Sequence, residues 1–236
     1  MTAPLIIHSI IEQARGEGRT TLTEVESKEL LRQAGIPVID TRLAASAEEA
    51  VALSVEIDFP VALKIASPDI LHKTDTGGVR LGLETPEQVA EAYRDIVDGT
   101  RRVFSQARVD GVSVQKMAAP GVEIIIGMSK DAQFGAVLIF GLGGIWVEVI
   151  EDVALGVTPI TRKDARDMIA EIKGYRLLTG YRGMEAVDLA KLEDMLLGVS
   201  AFVEANPAVR EMDINPVIAS GDGAVAVDAR IALEDA

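Results

Sequence analysis

The chain has no cysteine and only two histidines, His8 and His72. Disulfides, thiolate nucleophiles, cysteine-ligated zinc or iron-sulfur centres and multi-histidine metal sites are therefore excluded. Aromatic residues make up 4% and the formal charge is −14 over 236 residues. A surface for single-stranded nucleic acid needs aromatic faces on a basic groove, so nucleic acid is not expected as a partner. No run reaches the roughly 18 apolar residues of a membrane span, and residues 1–11 lack the basic start and small-residue cleavage site of a secretion signal. A cytoplasmic location without a membrane partner is the expectation. What remains is an ordinary globular composition, 48% hydrophobic and 25% charged, long enough for one large domain or two lobes with a cleft.

Within that composition one pairing stands out. Lys64 sits in the apolar run Val61-Ala62-Leu63-Lys64-Ile65, shortly before His72-Lys73-Thr74-Asp75-Thr76-Gly77-Gly78. Strand alternation puts Lys64 on one face with Ala62 and Ala66 and sends Val61, Leu63 and Ile65 into a core. Gly77 and Gly78 have no Cβ, so their N–H groups are expected to approach an anion closely, with Lys64 and Lys73 supplying positive charge. The competing reading makes Lys64 an edge-strand charge and the glycines an ordinary turn.

The C-terminal part carries a second constellation. Residues 210–218 and 224–230 both alternate, and Ser220-Gly221-Asp222-Gly223 between them is a hairpin signal. A turn centred on Gly221-Asp222 sets Asn215 opposite Asp228 and Asp213 opposite Arg230, all on one face. Opposed residues have Cβ atoms about 4.5–5.5 Å apart, so two carboxylates and an amide oxygen converge. Oxygen-only donors suit Mg²⁺, which takes one or two carboxylates together with phosphate oxygens and water. Arg230 is then placed to neutralise phosphate charge. The alternative is a solvated hairpin face on which Asp and Arg merely pair across the strands; Ala224 and Ala226 on that face weigh against it.

The remaining pattern is strands and helices in mixed order. Helices are expected over residues 5–14, from the Thr23-Glu24-Val25-Glu26 capping signal to Gly35, and over 46–56, 86–102, 161–172 and 188–204. Strands are expected at 79–83, 112–117, 122–128 and 135–140. Gly141-Leu142-Gly143-Gly144 lacks dinucleotide-fingerprint spacing and reads as a turn, and residues 174–184 read as a glycine-rich basic connection. The expected division is an N-terminal helix and linker (1–20), a first lobe (21–111) and a second lobe with the metal-binding hairpin (112–236). His8 reads as a packing or surface residue.

Taken in order, Glu24-x-Glu26-x-Lys28-x-Leu30-Leu31, Gly35-Ile36-Pro37, Val61-Ala62-Leu63-Lys64, His72-Lys73-Thr74-Asp75-x-Gly77-Gly78-Val79, Val114-Gln115-Lys116-Met117, Gly121-Val122-Glu123, Gly141-Leu142-Gly143-Gly144 and Asp213-Ile214-Asn215-Pro216 resemble the ATP-grasp β subunit of ADP-forming acyl-CoA synthetases. The resemblance implies an α+β ATP-grasp fold, two lobes with the nucleotide cleft between them. It implies ATP or ADP and Mg²⁺ as cofactors. Lys64 would contact phosphates, with Lys28 a weaker candidate, and Lys73, Gly77 and Gly78 in the same loop. Gln115, Lys116 and Met117 would form a hinge reaching adenine, and Glu123 would bind the ribose. Asn215 and Asp228, supported by Asp213, would hold the metal.

His72 would relay a phosphoryl group, with Asp75 and Arg230 beside it in the catalytic set; a neutral histidine nitrogen is a competent acceptor. A partner α subunit would supply the CoA-binding and second phosphohistidine parts, which this sequence lacks. Two other readings stay open here: another ATP-grasp carboxylate ligase working through an acyl phosphate, and a regulatory module that binds ATP without turnover.

Overall fold

A computed structural model describes residues 3–70, 73, 77–144 and 152–235. The chain forms two compact units, one made of Met1–Leu22, Glu26–Val38 and Ala119–Ala236, the other of Thr23–Val25 and Ile39–Ala118.

The smaller unit is a four-stranded antiparallel sheet in the order β1-β4-β2-β3, built from β1 (Thr41–Ala44), β2 (Val61–Ala66), β3 (Val79–Leu83) and β4 (Gly111–Lys116). Two helices, here α3 (Ala47–Ile57) and α4 (Pro86–Val103), supply the other layer. Each starts at a side-chain cap: Ser46 accepts from the N–H of Glu49, and Thr85 from that of Gln88. Such caps satisfy donors that the first helical turn leaves without partners. Along α4 the buried residues Val89, Ala92, Ile96, Val97 and Thr100 recur at helical spacing. Val61, Leu63 and Ile65 of β2 and Val112 and Val114 of β4 are in the same core. The alternate positions of these strands, including Ala62, Lys64, Ser113 and Gln115, share the other face.

The larger unit contains α1 (Ala3–Gly16), most of α2 (Glu24–Gln33) and a six-stranded sheet ordered β10-β8-β5-β6-β7, with β9 paired to β8. Its strands are β5 (Val122–Asp131), β6 (Gly135–Leu142), β7 (Val153–Val157), β8 (Val209–Ser220), β9 (Gly223–Ala226) and β10 (Arg230–Leu233). Helices α5 (Arg162–Glu171), α6 (Tyr175–Leu178) and α7 (Leu189–Ala205) complete it. One sheet face is apolar: Ile124, Ile126, Met128, Leu138, Phe140, Met212, Ile214 and Val217 belong to one core with Met168, Ile169, Leu192, Leu196 and Val199. Full burial of each such side chain contributes roughly 1.5–3 kcal/mol. The same alternation turns Glu123, Asp213 and Asn215 to the opposite face, where all three are exposed.

The expected elements at 46–56, 79–83, 86–102, 161–172 and 188–204 are present to within two residues. Five expectations need correction. The boundary expected after residue 111 falls after Ala118, because Gly111–Lys116 pairs with β1 and β2 and so belongs to the smaller sheet; the segment expected as a separate 1–20 linker, and α2 beyond Val25, belong to the larger unit. Gly141 and Leu142 continue β6 instead of forming a turn. The stretch 174–184 contains the short helix α6. The run 224–230 is split into β9 and β10 around residues 227–229.

Candidate functional site

Lys64 is an interior-strand residue, flanked by β3 and β4, which overturns the edge-strand reading. It is 6% exposed. Its Nζ lies 2.9 Å from Oε1 of Glu24, and Lys73 donates to the other oxygen, Oε2, of the same carboxylate. Glu24 is itself buried. The strand fixes one ammonium and the first turn of α2 fixes the acid, so the two lysines meet on one carboxylate although they lie 40 and 49 residues from it in sequence. In the sequence Glu24 stood in a capping signal and in the Glu24-x-Glu26-x-Lys28 motif; its pairing at that separation left no trace in local pattern.

The glycine loop behaves differently from expectation at one position. Gly77 takes a positive φ of 66° and is exposed, as an αL turn requires. Gly78, however, donates its N–H to the carbonyl of Lys73 at 2.9 Å, and its own carbonyl accepts from Ile65 at 2.7 Å. That N–H closes the loop instead of pointing to an anion. His72 and Asp75 lie outside the described residues. Lys28 is fully buried, which a lysine tolerates only with polar partners, and it has them. Gln115 is buried on β4, opposite Ala62 and Thr41. Lys116 donates to Asp58, through both its carboxylate at 3.1 Å and its carbonyl at 2.9 Å, and to the carbonyl of Phe59. Its charge therefore holds the end of α3. Met117 donates to the carbonyl of Pro60, just before the chain leaves the smaller unit.

On the larger sheet the hairpin register is as expected. Ser220 opposes Gly223, Ala219 opposes Ala224, and Arg230 opposes Asp213. Between the two strand segments Asn215 donates its N–H to the carbonyl of Asp228 at 3.2 Å, and Val227 donates to Pro216 at 2.9 Å. Proline has no N–H to return, and the strand break lies opposite it. Ala226 opposes Val217 and Ala224 opposes Ala219, all in or against the hydrophobic core. The expectation that these alanines share the face of Asp213 and Asn215 is overturned, because an extra residue between Ile214 and Val217 reverses the alternation of the strand. On its other side Asp213 opposes Gly127, which adds no side chain. Asp213 is exposed as a residue, but surrounding groups crowd its carboxyl enough that partial desolvation is the first cause holding it above its ordinary range; Arg230 opposes the shift and Asp228 and Glu211 reinforce it. Like charges gathered in one place disfavour ionisation. Among the described residues no three His, Asp or Glu side chains are placed to hold an ion by themselves. Two carboxylates and an amide leave a hard cation to complete its shell from nucleotide oxygens and water, as Mg²⁺ does. The donor set fits.

Glu123, exposed on β5, accepts the N–H of Gly143 at its carbonyl (2.7 Å). A Cβ on Gly144 would lie 2.7 Å from the Glu123 carboxylate. The glycine pair thus packs its backbone onto Glu123 and leaves room for the acid.

The class of protein follows from the family model of the ATP-grasp domain, which matches residues 13–233. The β subunit of ADP-forming acetate–CoA ligase II from Pyrococcus furiosus is 45% identical over 228 residues, 95% of this chain and 97% of that one. The dinucleotide-forming acetyl-coenzyme A synthetase 1 of Ca. Korarchaeum cryptofilum, solved with coenzyme A, Ca-AMPCP and HgCl⁺, superimposes with a TM-score of 0.94 at 47% identity, covering 96% of this chain and 99% of that one. Another structure of that enzyme, with coenzyme A and Mg-AMPPCP and its phosphohistidine segment pointing towards the nucleotide site, gives a TM-score of 0.86 at 44% identity, covering 97% and 100%. The chain belongs to the ATP-grasp family, among the β subunits of ADP-forming acid–CoA ligases. Among the described residues no helix is long and apolar enough to cross a membrane.

Proposed function

We propose that this chain is the nucleotide-handling β subunit of a cytoplasmic ADP-forming acyl-CoA synthetase, interconverting acyl-CoA, ADP and phosphate with carboxylic acid, CoA and ATP through a phosphohistidine. The observation that carries the residue assignment is the placement of Lys73. This residue, which follows His72 in sequence, shares a carboxylate with Lys64, so two cations that would neutralise phosphate charge are held together.

In the ATP-consuming direction a neutral nitrogen of His72 attacks the γ-phosphorus. The N–P bond forms as the bond to the β,γ-bridging oxygen breaks, and ADP leaves with the electron pair. Phosphoryl transfer depends mainly on positioning and charge neutralisation, which here fall to Lys64, Lys73 and Arg230. Asp213, Asn215 and Asp228 would hold Mg²⁺, which when bound screens the phosphate oxygens. Glu123 would hold the ribose, and main-chain groups of residues 115–117 the base; Lys116 has its charge occupied by Asp58 and contributes by backbone only. Coenzyme A, the acyl group and the second phosphohistidine are assigned to a partner α subunit.

The test is transfer from γ-labelled ATP to protein in the assembled enzyme. Acid-labile, base-stable label on this chain is expected, absent in His72→Ala together with acyl-CoA synthesis. Full synthesis by His72→Ala would sink the assignment.

A further inference from the structure

We infer that Glu24 is the positioning residue of the phosphate-binding lysine pair: one buried carboxylate that sets both ammonium groups before nucleotide arrives. The inference rests on the reading that Lys64 and Lys73 face phosphate.

The geometry divides the carboxylate cleanly. Oε1 takes Lys64 and Oε2 takes Lys73, and the side chains of Glu24, Lys64 and Lys73 are 4%, 7% and 17% exposed. Two ammonium groups brought together with little water repel each other, and each sits on a flexible four-carbon stem. A shared anion offsets the repulsion and removes that freedom at once. The frames on either side are rigid, an interior strand for Lys64 and the opening turn of α2 for Glu24. Lys73 is held at its backbone by the hydrogen bond from Gly78 to its carbonyl, and Glu24 holds its ammonium group. The second acid of the Glu24-x-Glu26 motif takes the Arg19 guanidinium on both of its oxygens, at 2.8 and 2.9 Å.

A structural ion pair and a positioning residue differ in how their loss combines with loss of Lys64. The experiment is a double-mutant cycle on the assembled enzyme, with kcat and KM for ATP measured for Glu24→Gln, Lys64→Ala and the pair, and melting temperatures recorded alongside. Glu24→Gln is expected to lower kcat/KM for ATP on the order of 10- to 100-fold, the scale of a misplaced reacting group. In the Lys64→Ala background its further effect is expected to shrink to under about 3-fold, since groups that act as a unit are not additive. Glu24→Asp, which keeps the charge on a shorter arm, should recover part of the loss, and it carries the cycle if Glu24→Gln does not fold. Additive losses, or a Glu24 variant with wild-type kcat/KM beside an impaired Lys64→Ala, would overturn the role of Glu24 and leave the phosphate assignment standing. A Lys64→Ala enzyme with unchanged ATP kinetics would overturn the phosphate assignment, and this inference with it.

Discussion

The two charged regions of this chain are kept in opposite ways. On the smaller sheet Lys64 and Lys73 are held by a buried carboxylate. On the larger sheet Asp213 and Asn215 are exposed, and Asp213 is crowded by Asp228 and Glu211. Removing one member of a buried pair strands a charge at a cost of about 3–5 kcal/mol, so the cations come with their counter-ion built in. The Asp213 carboxyl is held above its ordinary range by desolvation first, with Arg230 opposing and Asp228 and Glu211 adding to the shift, a cost that a bound cation would offset. In the proposed reading the lysines would hold a fixed geometry for phosphate, and the acids would exchange water for a divalent ion.

The comparison breaks most visibly if the acids are not metal ligands. Asp228→Asn is expected to lower Mg²⁺-dependent turnover of the assembled enzyme on the order of 10²-fold, the usual scale for loss of one electrostatic group at a reacting centre, with partial recovery at high Mg²⁺. Titrating Mg²⁺ against rate checks this. Wild-type rates at every Mg²⁺ concentration would make the hairpin face structural and remove the contrast.

A stability variant sharpens the comparison by disturbing the lysine sheet alone. Gly111 begins β4 with φ +130°, and a Cβ there would lie 2.0 Å from the carbonyl oxygen of Ala44. Only glycine permits that approach to β1. Gly111→Ala is expected to destabilise the chain by roughly 1–3 kcal/mol from backbone strain, more if β1 is pushed aside. Urea unfolding followed by amide exchange should show protection falling in β1, β2 and β4 before β5 and β8. Uniform loss of protection would mean that the two units unfold as one.

Local chemistry made much of this legible. Caps and periodicity located the helices, and the two-residue turn at Gly221-Asp222 fixed a register that carried through to Asp213 and Arg230, because hairpin pairing follows from turn length. The assignment of β4 was misread, since Gly111–Lys116 has the texture of the strands after it and only its partners, β1 and β2, reveal its sheet. The partners of Glu24 were hidden for the same reason on a larger scale: its contacts cross 40 and 49 residues. The free N–H expected at Gly78 failed because a loop's closing hydrogen bond is a property of its conformation, not of its composition.

The smallest expected effect concerns Asp213 and gives the contrast its sign. Its folded-state pKa is raised above the ordinary 3.8, with desolvation first among the causes, so the folded chain holds this proton more tightly than the unfolded chain does. The corresponding stability is fully present below about pH 3.8 and is lost as pH rises through the folded pKa. In metal-free buffer at neutral pH the ionised carboxylate is then a net cost, and Asp213→Asn should melt at a slightly higher temperature than the wild type. That difference should vanish as the pH falls below about 3.8, and it should narrow or reverse at neutral pH with saturating Mg²⁺, where only the wild type gains the full stabilisation of a bound ion. A lower melting temperature for Asp213→Asn in chelator at neutral pH would mean that cross-strand pairing with Arg230 dominates. The acid would then be held by an internal partner, just as the lysines are.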